Sequence, residues 1–378
     1  MDTAFKSTSS YVFATVISYA TGNPRGVVSI DVDDPSNPSI VGWLPIDPTV
    51  YGSVKHCQIT NSGHLAVSLS EWSGVSGGVI LVDISNPASM SLMGKYSLGN
   101  PATYVTSVNY FDVATITGPE ERIYLATADS ALGLVAVDID NPNSLTKAGD
   151  YVPGTEIFDV AVTNNNVVVI TNNRVRFLSR NDSLTLQSEP DLTTAPGTSG
   201  SCPTCNYDPS KATGFNDTDF KLLTLAADAA ANVVYFVVRK LDATASHLWV
   251  VNSGGVESLA PISFGTTSDL QMVIYFNTGV YVCASVSARI LYSHDSNNTI
   301  DFCDTPWYMG MNCGPPTPSI YLDYPVSKDT KSHDIIGIDG GIVSATPYIF
   351  CACMDEGLRI YDVTDISNLS LEYVNFGQ

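Results

Sequence analysis

Basic residues are scarce in this chain: 17 Lys and Arg stand against 38 Asp and Glu, a net charge of −21 over 378 residues. So acidic a protein presents no positive patch for phosphate backbones or anionic headgroups, which excludes nucleic acid and an anionic membrane as partners. Long apolar runs are missing as well. None approaches the roughly 18 residues that a transmembrane helix requires, so no transmembrane segment is expected. Histidine is limited to five residues, and H-E-x-x-H and a Gly-rich phosphate loop after a strand are both absent. With those motifs go the zinc protease and nucleotide chemistries they carry, and no catalytic, metal or cofactor site is expected. Charged residues of both signs make up only 15% of the chain, against about a quarter in ordinary soluble proteins. Two readings fit that poverty: a bias common to β-rich sequences, or a surface covered by neighbouring subunits and glycans. The opening MDTAFKSTSSYVFATVISYA has one early cation, Lys6, and apolar residues that alternate with Ser and Thr. It is not a signal peptide, and for a secreted protein Met1 would then not begin the precursor.

What the chain does have is one phrase in four clear copies: GVVSIDVDDPSNPSIVG from Gly26, GVILVDISNPASMSLMG from Gly78, GLVAVDIDNPNSLTKAG from Gly133 and GLRIYDVTDISNLSLEY from Gly357. The Asp ending each apolar run falls at Asp31, Asp83, Asp138 and Asp362, in steps of 52 and 55 residues and then a gap of 224. Self-similarity at a fixed period of this size means stacked copies of one supersecondary unit. Each phrase reads as a strand, a turn at Asp34-Pro35, Asn86-Pro87 or Asn141-Pro142, and a second strand. Proline fixes φ there, and the Asp or Asn before it can bond its own backbone two residues on. These carboxylates punctuate the chain; no D-x-D-x-D-G loop with a distal Glu accompanies them, as a calcium site would need. Weaker copies fill the gap from Asn165, Asn232 and Gly279, and two more strand-like runs precede each phrase, clearest in HCQITNSGHLAVSLSEWSGVSGG and HDIIGIDGGIVSATPYIFCACMDEG. Four strands per unit with Gly and Asn turns describe a propeller blade.

The phrase G-[LV]-x-[IL]-[VY]-D-[VI]-x-[DN]-P, preceded by H-D-[VI] and Y-[IL]-x-A strands, resembles the LVIVD repeat of extracellular β-propellers. The resemblance is strong in the first three units and the last, and topological in the middle three. It implies an all-β fold, a single seven-bladed propeller of four-stranded antiparallel blades over residues 1–378. Spacing alone leaves six or eight blades open, because loop insertions near 193–219 and 303–332 blur the middle of the chain. For the first blade only Met1–Ser10 remains to supply an innermost strand, with Phe5 its sole large aromatic residue. Closure is weakly specified on this reading, and a strand from a neighbouring molecule would serve equally.

Eight cysteines, at 57, 202, 205, 283, 303, 313, 351 and 353, suit an oxidising compartment. Cys202 with Cys205 and Cys303 with Cys313 are the local disulfide candidates. Cys351 and Cys353 are too far apart along one face of a strand to bridge each other, and are candidates to reach Cys283 in the adjacent blade. CPTC lacks the second C-x-x-C of a zinc ribbon and the βαβ context of a redox centre. Four N-x-[ST] sequons mark Asn181, Asn216, Asn297 and Asn368 as candidate N-glycan sites; the first, third and fourth fall in the turn after an apolar run and Asn216 in an insertion. His56 and His333 share a repeat position, which points to packing or hydrogen bonding before metal binding. Asp159 and Asp334 sit in inner-strand segments where a glycosidase pair could face the axis, but F-D-V and H-D-I belong to the repeat and read as structural. Gly340-Gly341 reads as a turn between strands. Together these features point to a secreted, non-enzymatic propeller serving as a structural or interaction module, a self-associating subunit of an extracellular filament or surface appendage. The alternative is a carbohydrate-binding protein or hydrolase that uses the central funnel.

Overall fold

A computed structural model describes residues 3–6, 10–16, 25–99, 108–115, 120–171, 174–190, 220–229, 232–240, 246–262, 270–276, 279–284, 289–294, 320–325, 335–353, 357–362, 364 and 370–375. They form seven four-stranded antiparallel sheets, each made of four strands consecutive in the chain. The first blade is Thr3–Lys6, Tyr11–Val16, Gly26–Asp31 and Ser39–Pro45; the second Ser53–Ile59, Leu65–Ser70, Gly78–Asp83 and Ser91–Ser97. The third is Val108–Thr115, Glu121–Thr127, Leu134–Asp138 and Thr146–Tyr151; the fourth Ile157–Val162, Asn166–Thr171, Arg174–Ser179 and Leu186–Ser188. The fifth is Phe220–Asp228, Val233–Lys240, Ser246–Asn252 and Gly255–Ile262; the sixth Leu270–Phe276, Gly279–Ala284, Arg289–His294 and Ile320–Pro325. The seventh is Ile335–Val343, Thr346–Cys353, Gly357–Asp362 and Ser370–Asn375. First strands of successive blades touch one another in order, and that of the seventh touches that of the first, so the sheets close into a ring around an axis.

Each phrase supplies the third and fourth strands of its blade. In the second blade all of Gly78–Val82 is buried, because a sheet inside the ring is covered on both faces. Side chains of a strand alternate between faces. Ile80 and Val82 pack with Val27 of the first blade, while Val79 and Leu81 pack with Ile123 and Leu125 of the third. The alternation in the sequence thus separates two buried faces. The Asp that ends the run closes an identical small turn in four blades. Asp31, Asp83, Asp138 and Asp362 accept the N–H of Asp33, Ser85, Asp140 and Thr364 at 2.8–2.9 Å. A second turn follows, in which Asp34, Asn86 and Asn141 accept the N–H of Ser36, Ala88 and Asn143. Asn181 accepts that of Ser183, which identifies Asn181-Asp182 as the fourth blade's form of the Asn-Pro turn.

That turn locks one blade against the last. The Pro87, Pro142 and Asp182 carbonyls press on Gly42, Gly94 and Gly149 in the outer strands of the first, second and third blades, where any Cβ would overlap the oxygen. Ser29 adds a hydroxyl bond to the Pro87 carbonyl at 2.7 Å. Gly149→Ala is therefore expected to lower stability by about 2 kcal/mol by forcing the two blades apart, measurable as a shifted urea midpoint with an unchanged slope.

Three sequence expectations are corrected here. Thr3–Lys6 pairs with Tyr11–Val16 as the innermost strand of the first blade, so that blade is completed by its own chain. Gly340 and Gly341 lie inside the strand Ile335–Val343, paired with Ile349 and Tyr348; a Cβ on Gly341 would enter the Phe5 ring, which explains the glycine. The stretch 303–332 contains the outer strand of the sixth blade, Ile320–Pro325, as well as inserted chain.

Candidate functional site

The inner strands carry a set of carboxylates that the funnel reading would nominate for chemistry. Asp159, on Ile157–Val162, is buried at 3% exposure. Its Oδ1 accepts the Val160 N–H at 2.8 Å, and its Oδ2 accepts the Thr224 hydroxyl and the Leu225 N–H, both at 2.8 Å and both from the fifth blade. Asp112, on the third blade's inner strand, repeats the arrangement. Oδ1 takes the Val113 N–H at 2.7 Å and the Gln58 amide of the second blade at 2.8 Å, and Oδ2 takes the Val162 N–H of the fourth at 2.7 Å. Asp339 of the seventh blade accepts the Gly340 N–H at 2.8 Å and the Phe5 N–H of the first at 2.7 Å. In each case one oxygen holds the next backbone N–H of its own strand and the other reaches across to the neighbouring blade.

Burial governs their electrostatics. Desolvation pushes the Asp159 carboxyl up to about 7, against the downward pull of its bonds from Leu225, Thr224 and Val160; the charge of Asp112 adds to the rise. Desolvation also raises Asp112, opposed by its bonds from Gln58, Val113 and Val162 and by Arg180. Lys55, on the second blade's inner strand, is held below the usual lysine range by burial, opposed by the charges of Asp159 and Glu156. Those two residues belong to the fourth blade, so the attraction acts across the ring. A carboxyl group whose two oxygens accept all these bonds is a clamp, and proton transfer or nucleophilic attack would require breaking the inter-blade bonds.

A second electrostatic tie lies nearer the rim of the third and fourth blades. Arg122 is buried and meets Asp182 at 3.0 Å, Asp138 at 3.4 Å and Asp140 at 3.5 Å. Glu121 beside it accepts the N–H of Asn61 and, at 3.1 Å, that of Ser62 from the second blade. Both are structural contacts between blades.

The sequence candidates fall out as follows. Asp159 is where the F-D-V segment places it, on an inner strand, with the structural role read from the repeat; Asp334 and His333 lie outside the described residues. The backbone N–H of His56 donates to the Ser68 Oγ of its own blade at 3.0 Å. Among the described residues no group of three or more His, Cys, Asp or Glu is placed to hold a metal ion, and no helix is long and apolar enough to cross a membrane. Asn181 is exposed in the turn between Arg174–Ser179 and Leu186–Ser188, its Oδ1 accepting the Ser183 hydroxyl at 2.6 Å; Asn216, Asn297 and Asn368 are outside the described residues. The disulfide expectation is corrected: among the described residues there is no disulfide. Cys57 and Cys351 are buried at 4% and 0% exposure, filling core positions as small apolar side chains do; the Cys57 Sγ lies 3.7 Å from the Phe13 carbonyl. Cys202, Cys205, Cys303 and Cys313 lie outside the described residues, and Cys283 and Cys353 are placed by backbone alone.

Sequence reasoning did not single out Asp112, Asp339, Gln58 or Lys55. The signal for Asp112 was present, since Phe111-Asp112-Val113 repeats Phe158-Asp159-Val160.

Comparison with known proteins places these observations. The model of the LVIVD repeat matches residues 74–97 and 124–152, the second and third copies of the phrase. No curated protein matches the chain. Among solved structures, hydrazine synthase of Kuenenia stuttgartiensis is similar with a TM-score of 0.55 at 11% identity, over 85% of this chain and 80% of that one. The periplasmic gluconolactonase of Pseudomonas aeruginosa gives 0.54 at 13%, over 78% and 81%. A functionally unknown protein of Desulfotomaculum acetoxidans gives 0.53 at 15%, over 86% and 89%. Likeness at such identities carries the fold alone.

Proposed function

For this LVIVD-repeat containing protein, closed as a ring-shaped multi-bladed β-propeller, we propose a secreted, non-enzymatic role as a structural or interaction module, a subunit of an extracellular assembly. The observation that carries the reading is the engagement of Asp112, Asp159 and Asp339 in blade-to-blade hydrogen bonds. Among the described residues, the acidic groups best placed for funnel chemistry are committed to holding the ring together. A chain with only 15% charged residues supports close contact between copies, with carboxylates left at the rim of the contact so that the charge of −21 is not buried there. N-glycans on exposed turns such as that of Asn181 suit the same setting.

The test is the size of native material. Sedimentation velocity at micromolar concentration and physiological salt is expected to show species several subunits in size. A sharp boundary of the 40.3 kDa monomer under all such conditions overturns the assembly role. A second reading, a ligand in the central funnel, draws on Lys55, on which the charges of Asp159 and Glu156 act across the ring. It calls for a monomer whose melting temperature rises with an added sugar.

A further inference from the structure

The outer strand of each blade is an edge, and edges are where sheet proteins join or aggregate unless charge, proline or irregular geometry discourages it. In the second, third and fourth blades the rim face turned to the preceding blade is guarded by charge. Lys95, paired in register with Ile80, donates to the Val50 carbonyl at 2.9 Å and sits over the Tyr51 ring. Lys147 and Asp150, paired with Val137 and Val135, form an ion pair at 3.0 Å. Arg176 meets Glu189 at 2.6 Å.

The first blade breaks this pattern. Its outer strand, Ser39–Pro45, reads SIVGWLP and contains no charged residue. Ile40 pairs with Ile30 and Trp43 with Val28, and Val28 and Ile30 pack toward the seventh blade. A register shift between Ser29 and Ile30 turns Ile40 and Trp43, three residues apart, to that same face. Both are exposed, at 54% and 38%. The seventh blade's phrase has Tyr373 where the first three have Gly42, Gly94 and Gly149, so the glycine that seats the next blade's turn carbonyl is missing at the junction these side chains face.

We propose that this edge is a self-association surface, occupied by the same edge of a second copy. The inference rests on the assembly role above and names its joint. Charge decides the occupant. Every copy carries −21, so two copies approach at least cost through an edge without carboxylates, whereas a basic partner would be drawn to the acidic surfaces and away from this one. The sequence is also self-complementary. Antiparallel pairing about a two-fold axis between Val41 and Gly42 sets each Ile40 opposite the other copy's Trp43, two aromatic–aliphatic cross-strand pairs on one face. The two first blades then form one continuous sheet, and the edge that no described strand covers is paired on both sides.

The purified full chain is examined by sedimentation velocity alongside Trp43→Lys, Val41→Pro and the conservative Trp43→Phe. Val41→Pro removes a backbone donor at the centre of the strand, and melting temperatures identify any variant that has lost the ring. The expected result for the parent and for Trp43→Phe is association, with the dimer as the smallest unit of the larger species. Trp43→Lys, with its melting temperature kept, should dissociate at least ~30-fold more readily, since the pairing would bury each new ammonium against the other copy's Ile40 with no partner, a cost of about 2 kcal/mol or more. A benzophenone crosslinker placed at Trp43 should couple the chain to itself. Association that persists unchanged in folded Trp43→Lys overturns this edge as the joint and leaves the assembly role standing. A parent that is monomeric throughout overturns both. A crosslink from position 43 to a polypeptide of different mass in native extract overturns the second copy as occupant.

Discussion

Asp159→Ala is expected to destabilise the ring by about 3–5 kcal/mol, since three buried donors are left without an acceptor at about 1–3 kcal/mol each. Three donors lose their acceptor at once, two of them in a different blade: the Thr224 hydroxyl, the Leu225 N–H and the Val160 N–H. Asp159→Asn is the more informative change. An asparagine can place its carbonyl where Oδ2 accepts the two bonds from the fifth blade, but its NH2 then faces the Val160 N–H, donor against donor. A loss of about 2 kcal/mol at pH 5.5 is expected. The pH dependence has a definite sign. The carboxyl is raised from its ordinary 3.8 to about 7 in the fold, so between those values the folded state holds a proton that the unfolded state has released. Stability from this group is complete below pH 4, falls as pH rises, and levels off above 7, a change of up to ~4 kcal/mol. The parent should therefore melt at a lower temperature at pH 8 than at pH 5.5, and the gap between parent and Asp159→Asn should narrow over the same interval. Thermal melts at half-unit steps decide it; a gap that widens with pH would mean that Asp159 is held as the carboxylate.

Much of this architecture was legible because it is written by short-range rules repeated many times. The Asp that ends each apolar run and the Asp or Asn before proline make turns through bonds spanning two residues, and such bonds need no tertiary context to be foreseen. The blade clamps were harder. Asp159 bonds Leu225, 66 residues away, and Asp339 bonds Phe5, 334 residues away; F-D-V marks Asp112 and Asp159 as repeat residues, but nothing local names the partner strand, and Asp339 carries no such mark. The same limit explains the errors. Gly340-Gly341 looks like a turn because glycine pairs usually are turns; its purpose is set by Phe5 at the other end of the chain. Met1–Ser10, with Phe5 its sole large aromatic residue, leaves closure weakly specified until the partners of Phe5 in the seventh blade are known. Cys351 reads as a candidate to bridge Cys283 of the adjacent blade, whereas it serves as a core side chain in a packed strand, a role that cysteine spacing cannot reveal.

Closure of the ring yields the second large effect. Phe5 stacks on Phe350 with centroids 5.1 Å apart and planes 14° from parallel, its N–H is held by Asp339, and its ring lies over the bare Cα of Gly341. Thr3 adds a hydroxyl bond to the Phe350 carbonyl at 3.3 Å. Phe5→Ala should cost about 3–5 kcal/mol, the range for truncating a buried aromatic. Gly341→Val should cost a comparable ~3 kcal/mol by overpacking, since the new Cβ cannot coexist with the ring in place. The two changes act on the same space. Combined, they should destabilise by clearly less than their sum, because the valine enters the volume that Phe5 has vacated, giving a coupling of about 1–3 kcal/mol. Urea titration of the parent, both single variants and the double variant measures it. Strict additivity would show that the Phe5 ring does not occupy the Gly341 site and that the first and seventh blades are joined by other contacts.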